Sequence, residues 1–210
     1  LSKQKPFYPP GSAQSYHALT FGFLVGEIVR RVDGRSIGEF FKKNIAEPYD
    51  IDFIFGLNEK EIKRTSDIVM SKIRSPFLTK VLLSTPPWLI PKRFRPVIEL
   101  LNKSDFKKAF FNTQAEKNSV NSDSWKQAEI PAANGFGSAK GISKFYSTLI
   151  SKKERSFLSK ETIDNATQIQ SAGPDTVLLN LPIKFGLGFM IENPYSPLGQ
   201  NPDLFGHSGV

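Results

Sequence analysis

Apolar residues recur at helical spacing near the start of the chain. Ala18, Phe21, Val25, Ile28, Val29 and Val32 fall three and four positions apart, the period of one face of an amphipathic α-helix. The turn-forming run Pro9-Pro10-Gly11-Ser12 precedes this helix, and Gly34 is placed to end it in the left-handed conformation. Ser36-Ile37-Gly38-Glu39 has the spacing of a capping box and predicts a second helix through Phe40, Phe41 and Ile45, which Pro48 stops. Ile51-Asp52-Phe53-Ile54-Phe55 alternates and is β-branched or aromatic, so a short strand is expected there.

Further along, Asn58 and Glu61 again stand at cap spacing. Pro86-Pro87 and Pro91 break any long helix, and Val97, Leu100 and Leu101 predict a helix after Pro96. Residues 118–123 are polar and turn-forming and read as an exposed loop. Gly135-Phe136-Gly137-Ser138 leads into a helix capped by Ser138, with Ile142, Phe145, Tyr146 and Leu149 on one side. Another short helix is expected after Ser159. Phe185, Leu187, Phe189 and Ile191 alternate with Gly186, Gly188 and Met190 as one strand would, its glycines signalling close approach of another backbone. Helices in the middle and strands toward the end make the fold class α+β rather than a regular βαβ repeat.

With 210 residues, 39% hydrophobic and 23% charged, the chain can bury a substantial core. No apolar run approaches the roughly 20 residues that span a bilayer. The absence of cysteine excludes disulfides and thiol nucleophiles, and with His17 and His207 as the histidines a histidine-rich metal site is not expected. The net charge of +8 is concentrated: residues 60–108 hold twelve Lys or Arg against four acids, while the remainder balances. Basic residues there are interleaved with Phe77-Leu78, Val81-Leu82-Leu83 and Pro86-Pro87-Trp88-Leu89-Ile90-Pro91, a combination that suits peripheral contact with an anionic membrane as well as a solvated helical insertion. No nucleic-acid-binding pattern accompanies the charge, so nucleic acid is not an expected partner. Asp50 and Asp52 resemble a glycosidase dyad only superficially.

Two short motifs carry candidate chemistry. Tyr16-His17-Ala18 opens the first helix, and Phe205-Gly206-His207-Ser208-Gly209 lies at the other end. Together they resemble two of the three active-site signatures of the serine β-lactamase and penicillin-binding-protein superfamily, in its esterase-like branch. Similar landmarks run in order through Gln4-Lys5-Pro6, Gly26-Glu27-Ile28-Val29-Arg30-Arg31, Gly34-Arg35-Ser36, Ile45-Ala46-Glu47-Pro48 and Pro131-Ala132-Ala133-Asn134-Gly135. The resemblance covers roughly residues 4–64 and 130–210. It implies a β-lactamase/transpeptidase-like α+β fold that is incomplete, one partial domain over 1–210 with residues 66–130 as a basic, partly helical insertion.

The resemblance also implies roles. Tyr16 occupies the place of the tyrosine that relays protons, His207-Ser208-Gly209 matches the histidine form of a strand-borne element lining the substrate pocket, and the Val210 N–H corresponds to one oxyanion donor. Asn134 is a further candidate pocket residue, although an Asn before Gly also suits a turn. No metal and no cofactor are implied; the substrate is a small ester or amide. Oligomeric state does not follow from these residues.

Two departures qualify the match. Where penicillin-active members carry Tyr-x-Asn, this chain has Ala18, which points to carboxylesterase-like relatives rather than penicillin hydrolysis. The third signature, a Ser-x-x-Lys nucleophile motif ahead of the tyrosine, has no match of weight. Ser2 to Lys5 and Ser104 to Lys107 fit literally, but 21 Ser and 20 Lys in 210 positions give about two such pairs by chance. The expectation is therefore a part of a serine hydrolase that is silent by itself, the alternative being a non-catalytic scaffold or membrane-associating binding module of the same fold.

Overall fold

The structure is a computed structural model and describes residues 1–69, 84–102, 109, 120–151 and 156–207. Its helices, in chain order, are α1 (Thr20–Asp33), α2 (Ile37–Phe41), α3 (Glu59–Ile62), α4 (Arg95–Asn102), α5 (Asp123–Gln127), α6 (Ala139–Leu149) and α7 (Lys160–Thr167). The strands are β1 (Phe53–Ile54), β2 (Phe136–Gly137), β3 (Ser171–Pro174), β4 (Pro182–Phe185), β5 (Met190–Ile191) and β6 (Phe205–Gly206). Two compact units result: one comprises Leu1–Tyr16, Ser71–Asn112 and Glu161–Val210, the other His17–Met70 and Thr113–Lys160. The class is α+β, as expected.

The second of these units is organised by close backbone approach. An apolar helical stripe ordinarily faces a core, but Phe21, Val25, Ile28 and Val32 of α1 are exposed, Val32 to 83%. The inward side carries Gly22, whose missing Cβ would stand 2.4 Å from the Ala132 nitrogen. Periodicity identified the greasy face; it could not say that small residues would be used to press the helix against the loop at 131–132. Gly34 ends α1 as expected, at φ 90° with its N–H donated to the Arg30 carbonyl.

Capping follows the sequence, with one partner added. Ser36 Oγ accepts from the Glu39 N–H as expected, and Glu129 joins the same helix start, accepting from the Ser36 hydroxyl at 2.7 Å and from the Gly38 N–H at 3.0 Å. Asn58 and Glu61 form the full reciprocal box, and Ser138 caps α6 by accepting from the Gly141 N–H at 3.0 Å. The helix expected through Ile45 is α2 followed by a π-helical turn, Lys42–Ala46, ahead of Pro48. The strand expected over 51–55 contracts to β1, paired antiparallel with β2.

Phe41, Phe53, Phe55 and Phe145 make a ring cluster with centroids 5.2 to 6.1 Å apart, and Ile51, Leu57 and Leu149 are buried in the same unit. Asp50 and Asp52 do not work as a pair: Asp50 takes the Lys144 ammonium at 2.7 Å and Asp52 the Arg64 guanidinium at 3.1 Å. The limbs of the basic segment meet here. Asn121 bonds the Ile68 N–H and carbonyl at 2.8 and 3.0 Å, and the buried Lys126 reaches Asp67 at 3.1 Å. The loop expected over 118–123 ends early, since Ser122 caps α5; residues 118 and 119 lie outside the described residues, as do Phe77-Leu78 and Val81-Leu82-Leu83.

The other unit holds a four-stranded antiparallel sheet ordered β3-β4-β5-β6. The single alternating strand expected over 185–191 is a hairpin: Phe185 pairs with Met190, and the chain reverses through Gly186–Phe189. The glycine signal was real but meant two different things. Gly188 takes φ 84° in the turn, whereas a Cβ on Gly186 would meet the Ala166 carbonyl of α7 at 2.2 Å. Ile183, Val177 and Met190 are buried, with Ile90 and Ile98 in the same unit, the latter on α4 where a helix was expected.

The α1 contact gives a paired test. Gly22→Ala should lower stability by about 1–3 kcal/mol because backbone, not a flexible side chain, blocks the new methyl. Gly26, whose Cβ would sit in ordinary contact 3.6 Å from Pro131, should tolerate alanine with a gain of up to about 1 kcal/mol from helix propensity. Urea denaturation of both variants measures the difference; equal effects would rule out the close approach at Gly22.

Candidate active site

The site forms where the N-terminal segment lies beside the sheet. Gln14 makes a parallel bridge with Asp175, and its carbonyl accepts from the Thr176 N–H at 3.0 Å. The Gln14 side-chain amide donates to the Ile183 carbonyl at 3.1 Å, and the Ser15 and Thr176 hydroxyls are hydrogen-bonded to each other. Gly11, in the preceding turn, takes φ 82°, with Ser12 bonded back to the Pro9 carbonyl. The segment is thus fixed before it reaches Tyr16.

Tyr16 is half-buried between two rings. Its centroid is 5.7 Å from that of His207, with planes 29° apart, and 6.5 Å from that of Phe185, with planes 17° apart. The structure therefore brings together the phenol and the imidazole from motifs 191 positions apart in the sequence. Phe185, on β4, is a wall of this site that no motif pointed to. The pairing of β4 through β5 to β6 carries Phe185 and the approach to His207 on one sheet.

Asp175 is the residue that sequence reasoning missed. It is fully buried, and its Oδ1 accepts from the Val177 and Leu178 N–H groups at 2.9 Å each. Two successive N–H groups folding back onto one carboxylate make an Asx-type turn, and Asp at the start of such a turn was the available signal. Burial pushes the Tyr16 phenol above its ordinary pKa of 10.0, and the Asp175 carboxylate adds to the shift. Both causes act against phenolate. At neutral pH Tyr16 is a hydrogen-bond and proton donor; accepting a proton would require a cation brought against it.

Asn134 is 3% exposed in the other unit, where its Nδ2 donates to the Trp125 and Ala128 carbonyls at 2.7 Å each and its Oδ1 accepts from the Ile130 N–H at 2.8 Å. Its amide thus ties the loop at 128–134 to itself and to the Trp125 carbonyl of α5, the local bonding that an Asn before Gly suits. Ser208, Gly209 and Val210 lie outside the described residues. His17 is exposed and its Nδ1 is 3.0 Å from the Thr20 hydroxyl at the start of α1. Ala18 is buried. Among the described residues no group of three His, Asp or Glu side chains is placed to hold a metal ion, and no helix is long and apolar enough to cross a membrane.

Comparisons with known proteins bear on the family and the fold. A family model described as Beta-lactamase matches residues 1–210. The esterase/beta-lactamase LipL of Mycobacterium tuberculosis (strain ATCC 25618 / H37Rv) is 29% identical over 202 residues, spanning 93% of this chain and 43% of that protein. A penicillin-binding protein homolog from Caulobacter crescentus superposes with a TM-score of 0.71 at 30% identity, over 98% of this chain and 50% of the other. A family VIII carboxylesterase gives 0.72 at 26% identity, over 98% and 49%. The chain thus has a β-lactamase/transpeptidase-like fold and spans about half the length of the relatives it matches.

The environment of Tyr16 sets its titration. Because the folded state holds the phenolic proton more tightly than the unfolded chain, Tyr16 adds no pH dependence to stability below 10, and stability should fall as pH rises through its raised pKa. The Tyr16 ring-carbon shift, followed by NMR across alkaline pH, should give a midpoint above 10.0. A midpoint at or below that value would show that the ring is neither sheltered nor near Asp175.

Proposed function

This chain belongs to the beta-lactamase family, and on that premise we propose that it supplies the tyrosine and histidine side of an acyl-transfer site in a serine hydrolase acting on small esters. The observation that carries the reading is the stacking of Tyr16 on His207 at 5.7 Å, with Phe185 behind. Hydrolysis by acyl transfer needs a serine hydroxyl, a group to take its proton and return one to the leaving alcohol, and donors for the oxyanion. A protonated, partly sheltered phenol is suited to the return step. It hands its proton to the departing alkoxide as the acyl–oxygen bond breaks, and recovers one when water releases the acyl group.

His207 packs against that phenol and would polarise the pocket beside it. The Val210 N–H would face the oxyanion, following the family pattern of the His207-Ser208-Gly209 element. The nucleophile is assigned to a Ser-x-x-Lys element outside these 210 residues, with the lysine ammonium as the cation that would let Tyr16 also act as a base. Residues 66–130 are read as an insertion in this framework, and no step requires them.

Esters are favoured over β-lactams because Ala18 stands where an Asn amide would hold a lactam side chain. The relatives include an esterase/beta-lactamase and a carboxylesterase, so the choice between substrates rests on Ala18.

Two measurements check the proposal. Residues 1–210 alone should not be labelled by a fluorophosphonate; stoichiometric labelling of a serine would place the nucleophile inside the chain and overturn its assignment. In the whole protein, Tyr16→Phe should lower kcat/KM for p-nitrophenyl acetate by about 10²–10⁴-fold, with hydrolysis of nitrocefin far slower than that of the ester. A Tyr16→Phe enzyme with undiminished ester hydrolysis would refute the role of the phenol.

A further inference from the structure

The segment from Pro86 to Pro91 presents clustered apolar side chains to water. A 3₁₀ turn, Pro87–Leu89, leaves Trp88 72% and Leu89 58% exposed, while the adjoining Ile90 is buried to 2%. A second 3₁₀ turn, Lys92–Phe94, follows, with Phe94 47% exposed and the Arg93 guanidinium 4.6 Å over its ring. The two turns are held in fixed relation. Arg95 donates from Nε to the Ile90 carbonyl at 2.8 Å and from its terminal nitrogen to the Trp88 carbonyl at 3.2 Å, and Ile98 of α4 is buried. This is an anchored tip: Ile90 is buried and Arg95 ties the two turns together, while Trp88, Leu89 and Phe94 are exposed.

Charge accompanies the apolar tip. Lys92 and Arg93 are exposed beside it and take part in no ion pair among the described residues. The contrast with α1 is instructive. There Arg30 and Arg31 are both bound by Glu27, whose carboxyl those hydrogen bonds push down to about 2, so the exposed face of α1 carries no comparable spare cations. Residues 60–108 as a whole hold the chain's excess of positive charge.

We infer that the turn 86–95 is a docking tip for an anionic lipid surface, with Trp88, Leu89 and Phe94 entering the interface and Lys92 and Arg93 meeting the phosphate layer. Tryptophan is stable at that boundary because its ring is apolar and its N–H is wet, and cations next to it gain from the negative surface potential. A cation already stacked on an aromatic ring keeps its donors outward, toward headgroup oxygens. This inference does not rest on the acyl-transfer reading and would hold for a catalytically silent protein.

Sedimentation of the 210-residue chain with phosphatidylcholine vesicles, with and without phosphatidylserine, tests it. The chain should pellet with the anionic vesicles and not with phosphatidylcholine alone, and release should follow added salt. Lys92→Gln with Arg93→Gln should weaken binding by roughly thirty-fold, and Trp88→Ala with Leu89→Ser by at least about tenfold, each with an unchanged Tm because these side chains are exposed. Should either variant fold poorly, a Trp125→Phe chain still reports: its remaining tryptophan emission, from Trp88, should shift to the blue on adding anionic vesicles. Absence of binding to those vesicles, or binding that both folded variants retain, overturns the inference. So does self-association of the chain, without vesicle binding, that Trp88→Ala with Leu89→Ser abolishes; the tip would then belong to a second copy.

Discussion

The pairing of Gln14 with Asp175 is the constraint on which the site depends. It joins positions 161 apart, so it closes a very long loop, and a closure of that size must be repaid by several contacts made at once. The seam supplies them: the Thr176 N–H on the Gln14 carbonyl, the Gln14 amide on the Ile183 carbonyl, and the Ser15–Thr176 hydroxyl pair. Asp175 is the keystone, buried completely and spending one oxygen on the two N–H groups that turn the chain toward β4. Remove that seam and Tyr16 has no fixed position relative to the sheet.

The seam that fixes the geometry also bears on the chemistry, chiefly by burying the phenol and secondarily through the Asp175 charge. A phenol sheltered from water and facing a negative charge holds its proton, so the seam makes Tyr16 a donor in its resting state. A proton-relay role then requires a positive group to enter the site, and a lysine delivered with the nucleophile would be such a group.

Much of this was legible in the sequence, and the failures have a common cause. Asn58 with Glu61, Ser138 and Gly34 were read correctly because caps are settled within four residues of chain. Tyr16 and His207 were legible as members of short signatures. What could not be read was whatever depends on a partner far along the chain. Glu129 reaches the Ser36 cap of α2 from 93 positions away. The inward face of α1 is chosen by Ala132, and the break of the 185–191 strand is fixed by the carbonyl of Ala166 beneath Gly186. Asp175 and Phe185 escaped notice because their roles arise from register between segments. Asn134 shows the converse, a conspicuous motif residue whose hydrogen bonds are local.

The account stands on the two rings at the ends of the chain sharing one face of one unit. Nuclear Overhauser contacts from the Tyr16 ring protons test this most directly. The structure requires cross-peaks from Tyr16 to the rings of both His207 and Phe185, whose centroids lie 5.7 and 6.5 Å away. Contacts to Phe185 without any to His207, or none to either, in a chain whose β3–β4 pairing is intact would contradict it.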